Sequence, residues 1–197
     1  MDADLFLQQF GHLAQGEGGI KKLRDVILQL AVRGKLVEQN PADEPAEVLL
    51  KKILKKKEAI LGKSKVKSLH RALANETTHD LPSSWVHTTL DELGVINPRN
   101  DCDANTAAGF VPMTLVSEGY GVFPRYEERN WIEISKGYTH FANDDVGLAK
   151  ITPCFENSKS CVFRDLPNGI GAGTTELHIF RDVTKTIVPA YVWIWIK

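Results

Sequence analysis

The feature that most constrains this chain is a change of hydrophobic period near residue 73. Upstream, apolar residues recur at steps of three and four. In "GGIKKLRDVILQLAVRGKLVEQN", Ile20, Leu23, Ile27 and Leu30, with Val26 beside them, form the stripe of an amphipathic helix, and Gly34 marks its end. In "NPADEPAEVLLKKILKKKEAIL", Asp43 or Glu44 is placed to cap a second helix and Pro45 suits its first position, where no amide donor is needed. Ala46, Leu49, Leu50, Ile53, Ile60 and Leu61 make its apolar side. Lys51, Lys52, Lys55, Lys56 and Lys57 crowd around that stripe, and a solvated helix face is the expected reading of such a run.

Downstream of Trp85 the pattern is different. Prolines and glycines punctuate short runs rich in β-branched and aromatic residues: "FVPMTLV", "WIEI", "DVGLAKI", "CVF" and "TTELHIF". Between the two patterns the chain is polar, charged and aperiodic, as a linker is. The expected fold class is therefore α+β, with an amino-terminal helical hairpin or arm over 1–72, a linker over 73–84 and a strand-rich domain over 85–197. The ending "VPAYVWIWIK" fits either a helix opened by Pro189 or a strand. Its Trp193 and Trp195 close the sequence on bulky apolar groups, which reads as a truncation or as a surface awaiting a neighbour.

A composition of 43% hydrophobic and 25% charged residues belongs to an ordinary folded protein. No window approaches the roughly 18 continuous apolar residues of a spanning helix. "MDADLFLQQF" lacks the basic start and long apolar run of a secretory signal, so the cytoplasm is the expected compartment, with no membrane partner. The net charge of −1 hides a segregation: Ile20 to Ala72 holds 14 Lys/Arg against 6 Asp/Glu, leaving 10 against 19 elsewhere. Near-neutrality argues against indiscriminate nucleic-acid binding and leaves room for a local basic patch. Cys102, Cys154 and Cys161 have no CxxC spacing and read as free thiols.

Enzyme signatures are largely missing. "NGIGAGTTE" contains GxG without the third glycine or the acid of a dinucleotide site, and no GK[ST] completes a phosphate loop. The six histidines show no metal-binding spacing, and His178 reads as an exposed strand residue. A nuclease reading could draw on Asp144, Asp145, Glu156, Lys150 and Lys159. Its acid and lysine, Glu156 and Lys159, are three apart across a loop rather than one apart on a strand. "INPRN" has Asn97 and Pro98 of a base-methylation turn, without the second proline or the aromatic. No catalytic residue and no metal ligand is assigned.

Several stretches together resemble the specificity subunit of type I restriction-modification enzymes. "LRDVILQLAVRGKLVEQNPADEPAEVLLKKI" looks like a helical segment near the amino terminus of one branch of that family, and "LPSSWVHTTLDELG" looks like the entry to a target-recognition domain. "FVPMTLVSEGYG", "KGYTHFANDDVGLAKITPCFENSKS" and "NGIGAGTTELHIFR" look like successive segments of that domain's body. The resemblance covers roughly residues 20 to 197 and implies a non-catalytic reader of double-stranded DNA. A full subunit carries two such domains, each reading half of a bipartite site. Long helices hold them apart and dock methyltransferase subunits, with the restriction subunit joining through the complex. S-adenosylmethionine, ATP and Mg would then belong to partner subunits, with no cofactor in this chain. The sequence looks like an amino-terminal half, in which Trp193 and Trp195 lack the helix expected to cover them.

Reading a duplex needs phosphate anchors to fix the register and donors or acceptors to meet base edges. The expected anchors are Lys150, Lys159, Arg164, Arg99, Arg125 and Arg129, and the expected readers are Asn157, Ser158, Asn100 and Asn105. Because members of the family read different sequences, the recognisable blocks are expected to shape the scaffold or hold phosphate, as Lys150 and Lys159 would. Base contacts are expected from loops such as "PRNDCDANTAAG" and "SEGYGVFPRYEERN". Leu23, Ile27, Leu30, Leu49, Leu50 and Ile53 are expected to dock a partner. The alternative is a pure protein-docking module that touches no DNA.

Overall fold

The computed structural model describes residues 15, 16, 18–62 and 81–197. The fold is mixed α+β, with five helices and eight strands in two sheets among the described residues. Two compact units result. One is made of the described parts of Met1–Ala46 and Glu76–Val86, the other of those of Glu47–Asn75 and His87–Lys197.

In the first unit, helix α1 (Gly19–Val32) buries Leu23, leaves Leu30 half-buried and leaves Ile20, Val26 and Ile27 exposed. It stops at Gly34, whose φ of +66° is the left-handed conformation that closes a helix, with Lys35 N–H donating to Leu30 O at 2.8 Å. A side chain would not fit there either, since a Cβ on Gly34 would stand 2.5 Å from Pro82 Cγ. The Trp85 indole donates to Gln39 Oε1 at 2.9 Å, and Gln39 Nε2 donates to Gly34 O at 3.1 Å, so one side chain links the helix stop to the returning strand of chain.

In the second unit, helix α2 (Ala46–Leu61) begins directly after Pro45 and buries Leu50, Ile53 and Lys57, at steps of three and four. Leu49 is exposed. Here the lysine run departs from the expected solvated face. Lys56 Nζ donates to Thr184 O at 2.6 Å, and the buried Lys57 donates to Asp91 O. The apolar stems of these two side chains lie along the domain while their ammonium groups find main-chain carbonyls. Helix α3 (Leu90–Leu93) follows, opened by a capping box in which Thr89 and Glu92 exchange hydrogen bonds.

The strands are β1 (Val95–Ile96), β2 (Ala107–Val111), β3 (Glu127–Asn130), β4 (Thr139–Ala142), β5 (Val146–Ala149), β6 (Ser160–Val162), β7 (Ile170–Gly173) and β8 (Leu177–Arg181). One sheet runs β1-β8-β5-β6, all antiparallel, and the other runs β3-β2-β7-β4 with β2 and β7 parallel. Alternation along the strands sorts the core into layers. Val111, Phe141, Ala149, Cys161, Leu177 and Ile179 point between the sheets, where the Phe141 and Phe163 rings stack at 3.7 Å. Val146, Val162 and Phe180 point the other way, onto helix α5 (Pro189–Ile196). Ala108 and Ala172 face the short helix α4 (Trp131–Ile134) behind the second sheet.

These layers account for three motifs. "WIEI", read as strand-like, is helix α4, because Trp131 and Ile134 bury the same side three residues apart. The GxG of "NGIGAG" is strand β7: a Cβ at Gly171 would stand 2.5 Å from Gly109 O and closer still to the Phe141 ring. "VPAYVWIWIK" is a helix with Pro189 in its first turn. Trp193 does not lack cover, for it is buried and its indole donates to Ser160 O at 3.0 Å. Trp195 is exposed.

Candidate nucleic-acid interface

The polar residues singled out in the sequence gather at two places. The first is the corner where 97–105 passes the second sheet. Asn100 Nδ2 donates to Phe141 O at 2.8 Å, and its N–H donates to His140 Nδ1 at 3.1 Å. His140 Nε2 lies 2.9 Å from Ser135 O, which assigns the proton to Nε2 in a neutral ring. Burial lowers the His140 pKa, reinforced by the Arg99 and Arg181 guanidinium groups and opposed by the bond to Ser135 O. Arg99 is exposed and donates to Tyr138 O at 3.3 Å, with the edge of the His140 ring beside it. Nearby, the Arg129 guanidinium lies 4.0 Å over the Phe110 ring and pairs with Glu127 at 2.6 Å. Asn105 is exposed in a turn before β2.

The second place is the β5–β6 turn, residues 150–159, together with the facing loop 117–126. The turn is held by its own main chain: Phe155 N–H donates to Ile151 O, Asn157 N–H to Pro153 O and Lys159 N–H to Cys154 O, at 2.8 to 3.0 Å. These bonds leave Lys150, Phe155 and Asn157 exposed and Lys159 half-buried. Asn157 Nδ2 donates to the Glu118 carboxylate at 3.2 Å, which joins the turn to the facing loop. Ser158 sits at φ +51°, and its carbonyl is engaged within the fold. Arg164, just past β6, lies 4.6 Å over Phe123 of the facing loop, and Arg125 is exposed on that loop. Tyr120 and Phe123 tilt against Trp193 at 4.8 and 5.6 Å.

Several acidic and thiol groups of this domain are engaged by the fold itself. Asp145 is held by Arg181 through bonds of 2.7 to 3.0 Å and accepts the Ala142 N–H at 2.7 Å. Burial raises its pKa against the pull of that guanidinium. Asp182 organises the turn after β8: burial alone would raise its pKa, but bonds from the Thr184 hydroxyl and the amides of Ile187, Thr184 and Thr186 lower it. Cys161 lies in the core with its thiol pushed up to about 12 by burial. No three His, Cys, Asp or Glu side chains among the described residues group as metal ligands, and no helix there is long and apolar enough to cross a membrane.

What sequence reasoning missed is the part played by helix α5 and by Glu118. Only the fold brings residues 118, 157 and 193–197 together. Comparison with known proteins places this surface in context. Over 178 residues, 88% of the chain, the sequence is 47% identical to the type I restriction enzyme EcoAI specificity subunit of Escherichia coli. Over 183 residues, 91% of the chain, it is 46% identical to the EcoEI specificity subunit of the same organism. The chain spans 30% and 31% of the lengths of these relatives. No family model and no solved structure matches it.

Proposed function

We propose that this chain, a homologue over most of its length of part of the type I restriction enzyme specificity subunits, reads one half of a bipartite DNA site and does no chemistry itself. In this reading it works in the cytoplasm within a complex. It directs methyltransferase and restriction subunits that carry S-adenosylmethionine, ATP and Mg.

The observation that carries the reading is the β5–β6 turn. A loop fixed by its own main-chain bonds, with Lys150 in solvent, the exposed Asn157 side chain held only by a surface carboxylate, and the Arg164 guanidinium beside it, offers charge and hydrogen-bonding capacity of which the fold spends little. Lys150, Lys159 and Arg164 would neutralise phosphates, and Asn157 would meet a base edge. Arg125 and Arg129 would add anchors from the facing loop and from edge strand β3. Arg99 and Asn105 would extend the surface on the other side. Asn100, whose amide is committed to Phe141 O, serves the scaffold in this reading.

The apolar residues proposed for docking divide along the same lines. Leu23, Leu50 and Ile53 are buried, so a methyltransferase subunit would cover the exposed Ile27 and half-buried Leu30 on the first unit or, separately, the exposed Leu49 on the second.

A salt titration tests the reading. The chain, with methyltransferase subunits present, is expected to bind duplex DNA with log K falling linearly in log salt, by roughly 0.9 per phosphate contacted. Absence of binding at low salt would overturn it and favour a docking module with no direct DNA contact.

A further inference from the structure

Directly after helix α5, Lys197 reaches both loops of the proposed reading surface. Lys197 Nζ donates to Glu118 O at 2.6 Å and to Ser158 O at 2.7 Å. These carbonyls belong to segments far apart in sequence, one in the loop before β3 and one in the β5–β6 turn. One helical turn earlier, on the same face, Trp193 gives its indole proton to Ser160 O and packs Tyr120 and Phe123. Trp193 and Lys197 therefore hold the facing loop through ring contacts and an ammonium group, and hold the end of the turn and the first residue of β6 through the ammonium and the indole N–H.

We propose that Lys197 is a positioning residue for DNA reading, tying the carbonyls of Glu118 and Ser158 so that the two loops present one rigid surface. This rests on the reading of the chain as a DNA-binding specificity subunit. Both acceptors are main-chain oxygens, so the tie is indifferent to the side chains the loops carry. The side chain of Asn157 and those of its neighbours remain available to meet a duplex while the backbone under them is fixed. A charged donor on a carbonyl is among the stronger hydrogen bonds. Partial burial, which lowers the Lys197 pKa, withdraws the ammonium from water and strengthens both bonds. With two of its three protons committed inward, Lys197 is a poor candidate for a phosphate anchor.

The test uses the full chain reconstituted with methyltransferase subunits, a duplex obtained by selection from random DNA, and a scrambled duplex of the same length. Lys197→Met keeps the apolar stem and removes the donor. It should lower affinity for the selected duplex about tenfold, the scale of a lost charged hydrogen bond, and leave both the scrambled duplex and the salt slope unchanged. Lys197→Arg, which can again reach two carbonyls, should restore most of the preference. Should Lys197→Met melt early, Lys197→Gln supplies the same comparison with a neutral donor in place. An unchanged ratio of selected to scrambled affinity would overturn the proposal. So would an equal loss on both duplexes with a slope shallower by about one, the mark of direct phosphate contact. A wild-type complex that selects no sequence would instead overturn the DNA reading beneath it.

Discussion

Asn100 and Asn157 are both loop asparagines with cations nearby, and in sequence nothing separates them. In the fold they differ in what their amides hold. Asn100 is half-buried and donates to the carbonyl of Phe141 on strand β4, while its own N–H fixes the tautomer of a buried histidine. Asn157 is exposed on a turn whose main chain is already satisfied, and its side chain donates to a surface carboxylate at 3.2 Å. A carbonyl in a sheet cannot leave to make room for a base, whereas a solvated carboxylate can. Hydrogen-bonding capacity thus becomes recognition only where the scaffold has not already used it.

Truncating the committed residue is expected to have the largest effect on the fold. Asn100→Ala removes bonds to part-buried partners and leaves Phe141 O short of a donor, and it should destabilise the domain by roughly 2 kcal/mol. Chemical denaturation of the variant checks this. DNA affinity, measured well below the melting transition, should keep the wild-type salt slope, because no phosphate anchor has been lost. A loss of DNA affinity with full stability would reverse the roles assigned to the two asparagines.

A smaller effect is expected from the histidine that Asn100 supports. Burial lowers the folded pKa of His140 below the ordinary value of 6.5, so as pH falls the unfolded chain takes up its proton first. The contribution to stability is full above about pH 6.5 and is lost as pH falls through the window down to the folded pKa. Melting temperature should therefore drop from pH 7.5 to pH 5.5 in the wild type, and less steeply in His140→Gln. Equal slopes in the two proteins would show that His140 does not couple folding to protons.

Much of the scaffold was legible in the sequence, and the reasons are local. The stripe of Leu50 and Ile53 at helical spacing and the short β-branched runs after Trp85 carry their periods on their face. Other features depend on neighbours that no local pattern encodes. Trp131 and Ile134 make a helix in β-like company because both bury against the second sheet. Lys57 is buried because a carbonyl of Asp91 lies within its reach. The glycines of β7 answer to the Phe141 ring, a partner some thirty residues away. At the candidate site, residue types could be named from the sequence, but which amides remained free could not. That depends on Phe141 O, Ser135 O and the end of helix α5.

The smallest expected effect on folding falls at the β5–β6 turn, where the comparison predicts the largest effect on binding. Lys150 is exposed, and Lys159 enters the turn's bonding through its main chain. The double change Lys150→Ala and Lys159→Ala should leave stability within about 0.5 kcal/mol of wild type, as surface changes away from caps and networks usually do. If each ammonium neutralises one phosphate, the slope of log K against log salt should become shallower by roughly 2, with affinity lost equally on selected and scrambled duplexes. Asn157→Ala should behave in the opposite sense, lowering the preference for the selected duplex while the slope stays fixed. The pair of variants separates anchoring from reading within one ten-residue turn. The main-chain bonds from Ile151 to Lys159 use none of the three side chains, so a difference between the variants does not come from loss of the turn's own bonding.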